Sequence, residues 1–190
     1  RRSLLLAAFS ASASGLSAQT FTWSNISGGS WGTDANWSST PTFGSDVILD
    51  FSTLNIAAAT ATTLDGNRTA GTLKFADATT ASHDWTVNTG SSGALTLATT
   101  SPATPEINVT NRSATINAVL AGSQGFTKTG AGTLVLGNNA NTITGAVSVS
   151  AGTLQLGNLS TTSTHAFSGT GLSVSSGATL SMGGISGETV

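Results

Sequence analysis

Apolar and polar residues alternate along the second half of the chain in short runs that restart at glycine. Leu134 and Leu136 flank Val135, Leu154 and Leu156 flank Gln155, and Val147 and Val149 flank Ser148. Each run therefore places its apolar pair on one face of a short strand. The valines hold odd positions and the leucines that follow hold even ones, so the inward face switches at Ala151-Gly152-Thr153. Such a switch needs an extra residue or an unusual backbone angle, which Gly152 can adopt without a Cβ clash. The pattern predicts a corner at this point and not a hairpin. No window carries a 3.6-residue apolar period after the first residues, because Gly, Thr and Ser interrupt each one.

The alternation is also repeated. AGTLVLGN at Ala131 to Asn138 returns as AGTLQLGN at Ala151 to Asn158, twenty residues on, with only Val135 and Gln155 differing. Looser echoes are GAVSVSAGTL at Gly145 and GLSVSSGATL at Gly171, with an insertion expected around Thr161 to Ser168. Upstream, AGTLKF at Ala70 reads as an equivalent strand three coils earlier, and GALTLA at Gly93 lies between. A fixed period of this size marks a chain that stacks supersecondary units. Packing equivalent residues in neighbouring coils puts Leu134 beside Leu154 and Leu136 beside Leu156, about 4.8 Å apart. Such strands are parallel, and parallel crossovers are right-handed. The expected fold is all-β, a right-handed parallel β-helix with coils of about 20 residues. Asn138 and Asn158 would stack at a turn, where asparagine tolerates left-handed backbone. An antiparallel β-sandwich is the alternative, since twenty residues also hold two strands and two turns.

Three regions differ in composition. Arg1 and Arg2, an apolar run from Leu4 to Phe9 and Leu16-Ser17-Ala18 before Gln19 resemble an export signal, giving a boundary at 1–18. Residues 19–41 hold Trp23, Trp31 and Trp37 among glycines. Residues 42–190 carry the repeats, which are expected to continue beyond Val190. Without cysteine there is neither a disulfide framework nor a thiolate metal site. Removing Arg1 and Arg2 leaves four basic residues against eight acidic ones, which argues against nucleic acid or an anionic membrane as partner. The apolar run is too short to span a membrane, so no membrane-spanning segment is expected in the mature chain.

Candidate chemistry is sparse. The three indoles read either as a stacking platform for extracellular glycans or as a plug over the open end of the stack, where terminal repeats are atypical. His83-Asp84 and His165 lack a positioned nucleophile such as a G-x-S-x-G elbow. Asp34-x-Asn36 begins like a calcium loop and does not continue. Asp46, Asp50, Asp65, Asp77, Asp84 and Glu106 fall at no common repeat offset and read as solvated turn residues. Lys128 reads as protection against edge pairing. No catalytic residue, metal site or cofactor is expected.

The run GFTKTGAGTLVLGNNANTITGAVSVSAGTLQLG, Gly125 to Gly157, resembles the autotransporter-associated β-strand repeat, also called the passenger-associated transport repeat. Gly125, Lys128, Gly130, Gly132, Thr133, Leu134 and Leu136 fall on the first half of its pattern. Gly145, Val147, Val149, Gly152, Thr153, Leu154 and Leu156 fall on the second. The resemblance implies a non-enzymatic passenger segment, secreted or displayed at the outer membrane of a Gram-negative bacterium. Its implied partners are the outer-membrane export machinery and cell-surface components. It also implies that coil formation assists export. The alternative function is a carbohydrate-binding or polysaccharide-cleaving β-helix module.

Overall fold

A computed structural model describes residues 18–100, 103–157 and 171–182. The expected export signal (1–17 of its 18 residues), Asn158, the insertion at 161–168 and His165 lie outside them. The described residues form eighteen strands and one 3₁₀ turn, Asp34–Asn36, with no α-helix.

The strands form three parallel sheets, two of which run the length of the described stack. The first holds β1 (Thr20–Thr22), β3 (Ile48–Phe51), β6 (Thr72–Phe75), β9 (Glu106–Val109), β12 (Phe126–Thr129), β15 (Val147–Val149) and β17 (Leu172–Val174). The second holds β2 (Gly29–Ser30), β4 (Thr60–Thr63), β7 (Trp85–Asn88), β10 (Ser113–Ile116), β13 (Thr133–Leu136), β16 (Thr153–Leu156) and β18 (Thr179–Met182). A shorter third sheet joins β5 (Arg68–Ala70), β8 (Ala94–Leu97), β11 (Val119–Gly122) and β14 (Thr142–Ile143). The molecule is a parallel β-solenoid of about six turns.

Ladders of inward side chains make the core. In the second sheet Trp85, Ala114, Leu134 and Leu154 stack in register, beside Val87, Ile116, Leu136 and Leu156, and the half-buried Leu180 and exposed Met182 continue the two ladders on the last described strand. The predicted neighbours Leu134–Leu154 and Leu136–Leu156 are direct partners, flanked by Thr133–Thr153. All four leucines are buried, and burying each contributes roughly 1.5–3 kcal/mol. The predicted corner is also present: Gly152 has φ +64, and a Cβ there would lie 2.4 Å from the Gly132 carbonyl oxygen. Gly132 is tight for the same reason, a Cβ meeting the Arg112 carbonyl oxygen at 2.7 Å. Only a glycine lets these two corners nest.

Coil length departs from the expectation. The twenty-residue period holds from Ala114 to Leu134 and from Leu134 to Leu154. Elsewhere Leu49 stacks on Leu73 after 24 residues (73 minus 49), and Leu73 on Ile107 after 34 (107 minus 73). The typical coil is about 25 residues. The reason is physical: the stack constrains strands, whereas surplus residues leave at corners, where no ladder bond has to be made. The upstream echo is corrected as well. AGTLKF builds β6 in the first sheet, and AGTLVL builds β13 in the second, so Leu73 stacks with Ile107 and not on the ladder of Leu134. A Thr-Leu-x-apolar phrase suits any inward-facing strand and carries no address for a particular sheet. The Gly145 and Gly171 echoes are true equivalents, with Val147 on Leu172 and Leu154 on Leu180.

Candidate functional site

The tryptophan-rich segment lies at one end of the stack, where β1 and β2 are the terminal strands of the two large sheets. Trp23 and Trp37 meet across an antiparallel bridge, with ring centroids 4.9 Å apart and nearly perpendicular. Phe51 of the next coil lies 5.3–5.4 Å from all three indoles and stacks on Phe75 beneath. Each indole N–H is satisfied inside: Trp23 Nε1 donates to Asn25 O, Trp31 Nε1 to Thr62 Oγ1, and Trp37 Nε1 to Trp31 O. Trp23, Trp31 and Trp37 are 0%, 0% and 4% exposed, so none offers a ring face to solvent. Such edge-to-face clusters contribute about 0.5–1.5 kcal/mol per pair beyond burial. Around them, the Asn36 amide donates to Ser30 O and accepts from Asn25 Nδ2, and Asp34 accepts from Thr40 Oγ1. The residues that suggested a calcium loop brace this turn.

Lys128 contradicts its sequence reading. It is an inward residue of the first sheet, stacked between Ile107 and Val149, and fully buried. Its Nζ donates to Thr129 O at 2.7 Å, Gly130 O at 2.9 Å and Ala151 O at 3.1 Å. Three donors meet three carbonyls at the corner where the backbone turns out of the first sheet. Burial pushes the ammonium pKa down to about 8. The signal for this was in the sequence: Lys128 lies two residues from Phe126 and must share its face.

Asp77 is the second correction, because it is fully buried and not a solvated turn residue. It sits in the corner between β6 and β7, where Oδ1 accepts from Ile56 N and Oδ2 from Thr80 Oγ1, Ser82 N and His83 N. Its own backbone exchanges two bonds with the Asn111 amide of the next coil. Burial works to raise its pKa, but the hydrogen bonds from Ser82, Thr80, His83 and Ile56 outweigh it and leave the carboxyl below its ordinary value. His83 Nδ1 lies 3.6 Å from Asp77 Oδ2. The adjacent Asp84 turns away, accepting from Ser113 N and lying 3.4 Å from Arg112 Nε. The His83-Asp84 pairing considered from sequence is therefore not made. Asp46 and Asp65 do occupy turns with positive φ, and hydroxyls from Thr100 and Thr63 lower their carboxyl pKa values.

Asparagines stack down one corner, and of the predicted Asn138–Asn158 pair only Asn138 is among the described residues. Asn117 Nδ2 donates to Asn88 Oδ1, and Asn138 Nδ2 to Asn117 O. At another corner the buried Asn141 accepts from Leu120 N. The offsets between Asn88, Asn117 and Asn138 follow the irregular coils, which hid the ladder from a fixed-period search. Among the described residues, no group of three or more His, Asp or Glu side chains could hold a metal ion, and no helix is long and apolar enough to cross a membrane.

These features define the class: a repeat solenoid whose ordered polar groups brace corners. Residues 126–156 match the family model of the passenger-associated-transport-repeat. The match covers β12 through β16, the coil pair that contains Lys128 and both nested glycine corners. No curated protein and no solved structure matches the chain. The repeat and the solenoid together fit an autotransporter passenger-like scaffold.

Proposed function

We propose that the chain is a non-enzymatic passenger segment, exported and displayed at the surface of a Gram-negative cell, where its solenoid serves as a scaffold in adhesion. The observation that carries this reading is the coincidence of the passenger-associated-transport-repeat with the most regular coils. Coil-by-coil stacking would assist export, since each new coil needs only its predecessor as template. Residues 19–41 act as the cap of the stack, which the burial of Trp23, Trp31 and Trp37 supports. The glycan-platform reading finds no favouring observation, because a sugar stacks on an exposed ring face.

Protease shaving of intact Gram-negative cells producing the protein from its native gene tests display. Loss of the solenoid from unbroken cells, with a cytoplasmic marker untouched, is the expected result. Protection until lysis would overturn the proposal. Binding of the purified segment to host-cell surfaces tests adhesion separately, and no retention above a capped-solenoid control would remove that part.

A further inference from the structure

The end of the stack that carries the tryptophans is closed by more than their rings. On the β3 side of β1, Trp23 N donates to Asp50 O, so the backbone groups of Thr22 and Ser24 face the opposite edge. One short return segment takes them. Ser24 N donates to Asn36 O, Ser38 N donates to Thr22 O, and Thr22 N donates to Ser38 Oγ. The segment runs antiparallel to β1, with Trp23 and Trp37 at the bridge. It also reaches the second sheet. Trp31 N donates to Thr63 O, so the Ser30 carbonyl faces away from β4, and there it accepts from Asn36 Nδ2. Residues 36–38 thus hold the outer edges of both large sheets, and Asn36 bonds to each.

A strand edge left uncovered is a template for another chain. The partner that fits this edge is a second copy. Two identical edges related by a two-fold axis run antiparallel, the direction that the return segment already takes. With the axis at Thr22, whose N–H and C=O both face outward, the copies exchange with each other the bonds that Ser38 now makes. We propose that residues 36–38 occupy a latent self-pairing edge and so keep copies of the solenoid from joining end to end through β1. The proposal rests on the reading of residues 19–41 as a cap and gives that cap a second task.

Asn36→Ala with Ser38→Pro removes the bonds to Ser30 and to both Thr22 groups. The backbone of Trp37, at φ −119 and ψ 159, accepts a following proline. The chain contains no cysteine, so Thr22→Cys reports pairing without background. Residues opposed in an antiparallel hydrogen-bonded pair lie about 5.5 Å apart at Cα, within disulfide reach. Oxidised at equal concentration, the full chain carrying Thr22→Cys should give at least about tenfold more covalent dimer with the double substitution than without it. Ser38→Pro alone, which leaves Asn36 on both sheets, should give an intermediate yield. Gln155→Cys, outward on the second sheet, should not respond to either change. An unchanged Thr22→Cys yield in the folded double variant would overturn the proposal, and so would an equal rise at Gln155→Cys. Failure of both variants to form the solenoid would also overturn it, because the segment would then be needed to build the first coil. The cap reading fails separately, if Trp31→Ala leaves hydrogen exchange across 20–51 unchanged.

Discussion

The tryptophan-rich end and the repeat at 126–156 solve the same packing problem differently. In the repeat, identical shapes stack: leucine on leucine, glycine corner on glycine corner, with one lysine gathering three carbonyls. At the end, Trp23 and Trp31 lie tilted by 34° and 30° against Phe51 while Trp37 meets it edge-on at 66°, and each turns its N–H to an oxygen within 2.6–3.0 Å. A middle coil has a neighbour on both sides and can be periodic. Among the described residues β1 and β2 have a sheet neighbour on one side only, and the large side chains there pack on one another and satisfy their own polar atoms. Periodicity is a property of having two neighbours.

The largest expected effect on this contrast comes from Leu154→Asp, which buries an unpaired carboxylate between two coils. It should lower stability by several kcal/mol in urea unfolding, whereas Gln155→Asp on the outward face should change it by less than about 0.5 kcal/mol. Equal effects would contradict the assigned faces. Next is Trp31→Ala, expected to lower stability by about 3–5 kcal/mol. Its signature is locality. Hydrogen exchange should accelerate across 20–51 while 126–156 keeps its protection, and uniform acceleration would show that the two regions unfold as one.

Smaller effects concern the polar corners. Asp77→Asn removes a charged acceptor from four donors and should cost about 1–3 kcal/mol at neutral pH. Because the folded carboxyl is held below its ordinary 3.8, its contribution is present above that pH and is lost as pH falls through the folded value. The variant should therefore show a flatter acid limb in stability against pH. The gentlest test is alkaline. With Lys128 near 8 when folded and 10.5 when unfolded, the unfolded chain holds the extra proton between those values. The contribution of this group to stability should then rise with pH across that window, and the rise should vanish in Lys128→Met.

Much of the repeat was legible because its two cues, alternation and a fixed offset, are local. Leu134, Leu136, Leu154 and Leu156 were placed on one face and paired correctly, and the corner at Gly152 was placed by the parity change alone. What escaped was non-local or overridden by residue type. The charge of Lys128 suggests protection against edge pairing, although its two-residue spacing from Phe126 puts it on the inward face. Asp77 looked like any loop aspartate, because its donors come from Ile56 and Thr80 to His83, across a corner of unpredictable length. Two of the four strands in the third sheet are short, β5 with three residues and β14 with two. At the other end the tryptophans announced a special region, but nothing in their spacing disclosed that all three faces were used internally.

Irregular coil length has a consequence for how such a chain can change. Between Leu73 and Ile107 the backbone takes 34 residues to return to a position that Leu134 to Leu154 regain in 20, and the ladder is unbroken in both cases. Corners such as that between β6 and β7 absorb the difference. Lineages can therefore lengthen or graft segments there without renegotiating the core, and an engineer could do the same, using the stack as a rod from which foreign peptides project at spacings set by the coil rise.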